Sequence, residues 1–279
     1  MGALTLGLIA AFCWGVHDTL VRYISQRVGV FQSLFPVLVS GCIATTILAG
    51  ALGADGLATD AAVYAVLSGV IFGLTGAAFY KALAIGPVRV VAPIVASFPI
   101  LSVGWAVMNG QTVTALQWIA VLIVVVGCGF VAATSKDDTG AGAQPAAILW
   151  SALAAIGFAV SFAVGQLSVD GGSEMTAIAV ARVAAVCVVG VAALILRQPV
   201  IPAKSALSVL AVMGVLDATA IGAVMLAGSF AYPAFASVAA STFGVLTIIL
   251  AAVFLREAVA RIQWLGILVV FVAIGYLAV

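Results

Sequence analysis

Trp14, His17 and Asp18 stand at i, i+3 and i+4 in the first apolar run of the chain, so they share one face of a helix. Together they offer an indole donor with a π face, an imidazole and a carboxylate. That set suits holding a polar or charged group more than breaking a bond. His17 is the only histidine, which excludes a histidine-rich metal site. Hydrogen-bonded packing of His17 on Asp18 stands beside a binding role. Two further ionisable residues, Arg182 and Asp217, also fall inside apolar runs. Arg182 lies eight positions into its run, ~12 Å along a helix, and Asp217 twelve positions from the end of the next, ~18 Å. An arginine side chain spans that difference. A structural ion pair, which would neutralise both charges, and contact with a bound molecule are both open.

The elements that must position these residues follow from composition. Of the 279 residues, 66% are apolar and only 7% charged, against roughly 25% in soluble domains. Mean hydropathy is +1.37. The apolar runs are continuous, without the alternation of a lipid-facing strand, so the solvent is a lipid bilayer and the elements are helices. A span needs ~20 apolar residues, and the chain holds ten: Gly2–Ile24, Phe31–Ala51, Asp60–Ala84, Val88–Met108, Ala115–Thr134, Pro145–Ser168, Glu174–Leu196, Lys204–Ser229, Pro233–Leu255 and Ile262–Val279. No basic segment precedes the first run, so Leu4 to Leu20 reads as a retained span. Cys13, Cys42, Cys128 and Cys187 all lie within spans, supporting neither a disulfide framework nor a zinc site. A net charge of +1 gives no reason to expect nucleic acid.

The cations are not scattered. Arg22 and Arg27 flank the first gap between spans, Lys81 and Arg89 the third, Lys136 lies in the fifth, Arg197 and Lys204 bracket the seventh, and Arg256 and Arg261 the ninth. The even gaps carry Asp55, Asn109, Asp170 and Glu174 instead. By the positive-inside rule the odd gaps are cytoplasmic and both termini lie on the outer, periplasmic side of a bacterial-type inner membrane.

The polar stretch 135–144, a cytoplasmic linker, separates a first repeat (1–134) from a second (145–279). Gly76, Pro87, Gln117, Trp118 and Gly129 match Gly222, Pro233, Gln263, Trp264 and Gly275 at a constant offset of 146 (222 − 76, 263 − 117). Five spans is an odd number, so the second copy enters the membrane upside down, and the charge code of the two halves is accordingly opposite. Inverted repeats meet at the midplane, and exchanging their conformations swaps the side to which the seam opens, which implies alternating-access transport. A passive channel is the alternative.

Within the spans, Pro93 and Pro99 interrupt the fourth helix, as a gate beside a path or as a packing kink. Gly69, Gly73, Gly76 and Ala77 predict close helix contact. Tyr80 faces the seam on this reading, Lys81 snorkels to the surface, and Phe158, Phe162 and Phe243 are mid-depth candidates for a binding wall. Trp105, Trp118, Trp150 and Trp264 lie near span ends as interfacial anchors. No metalloprotease, nucleophile-elbow or paired intramembrane carboxylate motif occurs; Asp137 and Asp138 belong to the linker. The expectation is no enzyme and no cofactor.

The stretch Ala82-Leu-Ala-Ile-Gly-Pro-Val-Arg-Val-Val-Ala-Pro-Ile94, then Pro99 and Gln117-Trp118, resembles the EamA-type repeat of the drug/metabolite transporter superfamily. The second half repeats the likeness through Leu255-Arg-Glu-Ala, Gln263-Trp-Leu-Gly and Gly275. Where the second half has Arg256-Glu257 the first has Gly110-Gln111, so Glu257 carries over in that half alone, as a structural residue. The resemblance implies an all-α membrane fold of ten helices in two inverted five-helix repeats around a cavity for small metabolites. The Trp14-Gly-Val-His stretch and the surroundings of Tyr80 are similar to YddG-type exporters of aromatic and other neutral amino acids. One deep arginine is too few for phosphorylated substrates. A partly apolar zwitterion fits better, and a lipophilic cation held by cation–π contacts of Trp14 and Tyr80 is the runner-up.

Overall fold

The computed structural model describes residues 2–24, 28–52, 55–86, 88–134, 145–169, 173–254 and 260–277. Arg27, Pro87, Asp170, the linker 135–144 with Lys136, Asp137 and Asp138, the 255–259 segment with Arg256 and Glu257, and Val279 lie outside them. Among the described residues there is no strand. The helices are α1 (Gly2–Ile24), α2 (Val30–Ala51), α3 (Thr59–Ile85), α4 (Val88–Val95), α5 (Phe98–Met108), α6 (Ala115–Ala133), α7 (Pro145–Leu167), α8 (Glu174–Ile195), α9 (Leu207–Leu226), α10 (Ala234–Ala240), α11 (Phe243–Phe254) and α12 (Arg261–Leu277). Six of these stretches are long and apolar enough to cross a membrane by themselves, and shorter apolar helices make up the rest. Large side chains such as Ile47, Val126, Leu194 and Val272 are 64–79% exposed, a cost in water and none against lipid.

Seven of the ten expected spans are single helices with ends within two residues of those read from sequence; the eighth span is α9 prolonged by a 3-10 turn at each end, Lys204–Ala206 and Ala227–Ser229, and the other two are broken. In the fourth span the helix stops at Val95 and restarts at Phe98. Pro93 lies within α4 and not at the interruption, whereas Pro99 is the second residue of α5, where a missing N–H costs nothing. The ninth span, expected to be continuous, breaks at Ser241-Thr242 with no proline there. The physical cause is shared. Ser97 Oγ donates to the Ile94 carbonyl (2.6 Å), Ser241 Oγ to Val238 (2.8 Å) and Thr242 Oγ1 to Ala239 (2.7 Å). Hydroxyls thus satisfy carbonyls that the helix ladder releases.

The repeated Gln-Trp motif has a structural role. Gln117 Oε1 accepts from Thr114 N (2.9 Å) and Gln263 Oε1 from Ala260 N (2.8 Å), so the same glutamine caps the start of α6 and of α12. These two helices pack on each other.

Contacts between the halves are reciprocal. α3 packs on α7 and α8, and α9, its counterpart, packs on α1 and α2. Small residues make this possible. A Cβ at Gly69 would run into the backbone of Ala181, and one at Gly73 into Val188 and the Ala185 carbonyl, so the glycine stripe of α3 lies against α8. Gly214 of α9 lies against Val37, Ser40 and Gly41 of α2 in the same manner. The α3–α7 seam also holds a reciprocal pair: Ser68 Oγ donates to the Ser161 carbonyl (2.9 Å) and Ser161 Oγ to that of Ser68 (3.1 Å).

Candidate functional site

Two independent facts place the site. The broken spans bring Phe98 and Phe243 to mid-bundle, each the first residue of the helix after its break. The α1 face carrying Trp14, His17 and Asp18 meets them there, around a cavity of about 60 Å³. Phe158 and Phe162 of α7, Tyr80 of α3 and Asp217 of α9 line it as well. Of the residues singled out from sequence as binding candidates, only Arg182 is missing from this wall.

Aromatic rings dominate, eight in all. Trp14 stacks on Phe162 (centroids 5.7 Å apart, planes at 18°) and meets Phe243 edge-on at 6.3 Å. Phe158 touches Phe72, Phe79, Phe98 and Phe162 at 5.6–6.1 Å. Sequence reasoning missed Phe72, Phe79 and Phe98. A signal existed for the first two, because Phe72, Gly76 and Tyr80 follow one another at i, i+4 and i+8 on one face of α3, with Phe79 beside them.

The polar groups fall in two places. Near the end where α1 leads to α2, Asp18 Oδ1 lies 3.1 Å from His17 Nδ1, and His17 Nε2 lies 3.4 Å from the Tyr80 hydroxyl. The Asp18 side chain retains 25% exposure while His17 is buried. The second group is centred on Asp217. Its Oδ1 accepts from Trp14 Nε1 (2.9 Å), and its Oδ2 accepts from Arg182 NH1 (2.7 Å). Arg182 is 2% exposed, with its guanidinium carbon 5.3 Å from the centroid of Phe72. Of the two readings open for this arginine, the structure shows the ion pair.

The cavity extends from mid-bundle toward one end. Its α2 residues, Leu34 and Val37, come in the first two turns after the α1–α2 connection, and its α3 residues lie in the second half of that helix. Polar ties cluster at the opposite end. Thr176 Oγ1 donates to the Asp55 carbonyl (2.8 Å), Ser229 Oγ to Glu174 (3.0 Å), and Gln166 Nε2 to the carbonyls of Val224 (3.1 Å) and Pro233 (3.0 Å). Lys81 is exposed, and Trp105, Trp150 and Trp264 are 37–48% exposed. Among the described residues no group of His, Cys, Asp and Glu could hold a metal.

The sequence of the EamA-like transporter family matches residues 1–133 and again 145–279. The chain therefore belongs to that family, as two copies of its repeat, and is a multi-pass membrane transporter of small molecules. A crystal structure superposes with a TM-score of 0.81 at 16% identity, covering 98% of this chain and 95% of its own, which shows the shared fold. No curated protein matches significantly.

Proposed function

We propose that the chain is a secondary carrier that exports small amphipathic metabolites, aromatic and other neutral amino acids foremost, by alternating access. The observation that carries this reading is the aromatic-walled cavity on the seam between two halves whose contacts are reciprocal. Apolar walls receive the side chain, and the two polar places receive charged ends. An inverted arrangement of the repeats accounts for both the reciprocal packing and the opposite charge codes. With the odd gaps cytoplasmic, the cavity lies on the cytoplasmic side, and the ties at Asp55, Glu174 and Gln166 close the periplasmic side. A cavity of about 60 Å³ holds a few waters, so loading an amino acid requires the walls to part.

A second reading is a lipophilic cation. It is favoured by the charges on the wall: Asp18 and Asp217 line the cavity and Arg182 does not. Counterflow distinguishes these readings from each other and from a channel. Proteoliposomes preloaded with unlabelled L-phenylalanine should accumulate labelled L-phenylalanine transiently above equilibrium. Counterflow of tetraphenylphosphonium alone would support the cation reading, and flux without any overshoot would contradict a carrier.

A further inference from the structure

Arg182 holds more donors than its partner uses. NH1 donates to Asp217, but Nε and NH2 are fully buried and have no hydrogen-bond partner among the described residues. A guanidinium presents five N–H bonds in a rigid fork, and Nε with NH2 forms the flat edge that receives a carboxylate through two parallel bonds. Leaving that edge unpaired in an apolar interior is costly. A purely structural partner for Asp217 would not need it.

Arg182 lines a second void, of about 10 Å³, together with Ser68, Phe72 and Met225. Phe72 also lines the main cavity, so its ring is a wall of both spaces. The centroid of that ring lies 5.3 Å from the guanidinium carbon, and the ring meets Phe158 edge-on at 6.0 Å. The void admits a single water-sized group. Because Phe72 borders both spaces, a change of its rotamer is the movement that would connect them.

Resting on the carrier reading above, we propose that Arg182 is a carboxylate subsite shuttered by Phe72, and that the substrate class is a zwitterionic amino acid. Charge supports the class. Asp217 already balances Arg182, so a simple organic anion would bring an unmatched negative charge into a cavity that also carries Asp18. A zwitterion changes nothing in the sum: its carboxylate takes the Nε/NH2 edge, its ammonium is drawn to Asp18, and its side chain lies among the phenylalanines. Asp217 keeps the NH1 end throughout and acts as a positioning residue for the guanidinium.

The test compares equilibrium binding of L-phenylalanine, phenethylamine (no carboxylate) and 3-phenylpropionate (no ammonium) to the purified full-length protein. Two charge-assisted bonds should make phenylalanine roughly ten- to a hundredfold tighter than phenethylamine, with phenylpropionate weakest. Arg182→Lys retains a cation for Asp217 but has no flat edge, and should abolish the preference for phenylalanine over phenethylamine. Phe72→Leu removes the shutter and should speed association of phenylalanine more than of phenethylamine. Wild-type protein that binds phenethylamine as tightly as phenylalanine would overturn the subsite while leaving a carrier of amphipathic amines intact. An Arg182→Lys variant that keeps the full preference would also overturn it. Binding of none of the three would overturn the amino acid reading together with the subsite.

Discussion

The indole Nε1 of Trp14 donates a 2.9 Å hydrogen bond to Oδ1 of Asp217, joining α1 of the first repeat to α9 of the second. Because the other carboxylate oxygen is bound to Arg182, one aspartate ties three helices together beside the cavity. Trp14→Phe would keep most of the ring stacking on Phe162 and leave Oδ1 without its donor. The expected cost is about 1–3 kcal/mol, read as a lowered melting midpoint in detergent, with weakened ligand binding. An unchanged midpoint would mean that the bond contributes nothing to the seam.

The Arg182–Asp217 pair is nearly sealed from solvent, with side chains 2% and 10% exposed. Removing one partner leaves an uncompensated buried charge. Asp217→Ala should therefore destabilise by about 3–5 kcal/mol, and the double change Arg182→Met with Asp217→Leu by much less. Chemical unfolding of the single and double variants checks this. Additive losses would contradict the pairing.

The glycines of the helix seams differ in kind. A methyl group at Gly69 meets the Ala181 backbone, whereas one at Gly104 meets nothing within 4 Å. Gly69→Ala should force α3 away from α8 and lower yield and melting temperature. Gly104→Ala should be neutral or stabilising by up to about 1 kcal/mol through helix propensity. Equal behaviour of the two variants would refute close α3–α8 packing.

The two capping glutamines should also separate. Gln117 is partly exposed, while Gln263 is 5% exposed and its amide also reaches the Val131 carbonyl at 3.4 Å. Gln117→Ala should cost about 1 kcal/mol, as lost caps do, and Gln263→Ala more. Melting curves of the two variants provide the comparison, and a larger loss at Gln117 would contradict it.

Most of the helical layout was legible before the structure, because lipid imposes continuous apolar runs and the offset of 146 aligned the halves. What was hidden has a physical reason. The break at Ser241-Thr242 is made by side-chain hydroxyls turning back on their own helix, and such pairs also occur in unbroken spans, so sequence reading looked to prolines instead. On α1, the spacing of Trp14, His17 and Asp18 sufficed to place three cavity residues. Phe98 was not legible, since its direction depends on the break that precedes it. The pairing of Arg182 with Asp217 was foreseen as one of two options. That its second edge lies behind Phe72 depends on how α3 packs on α8, which side-chain spacing along one helix does not encode.

Alternating access about this cavity depends on opposite insertion of the two repeats, and the equivalent caps of α6 and α12 offer the most direct measurement of it. With the four native cysteines replaced, single cysteines at Ala115→Cys and Ala260→Cys, both exposed positions, would be probed in intact cells with a membrane-impermeant thiol reagent. The expected result is labelling of position 115 from outside and protection of position 260 until the membrane is opened. Labelling of both positions from the same side would contradict the inverted repeat and, with it, alternating access about this cavity.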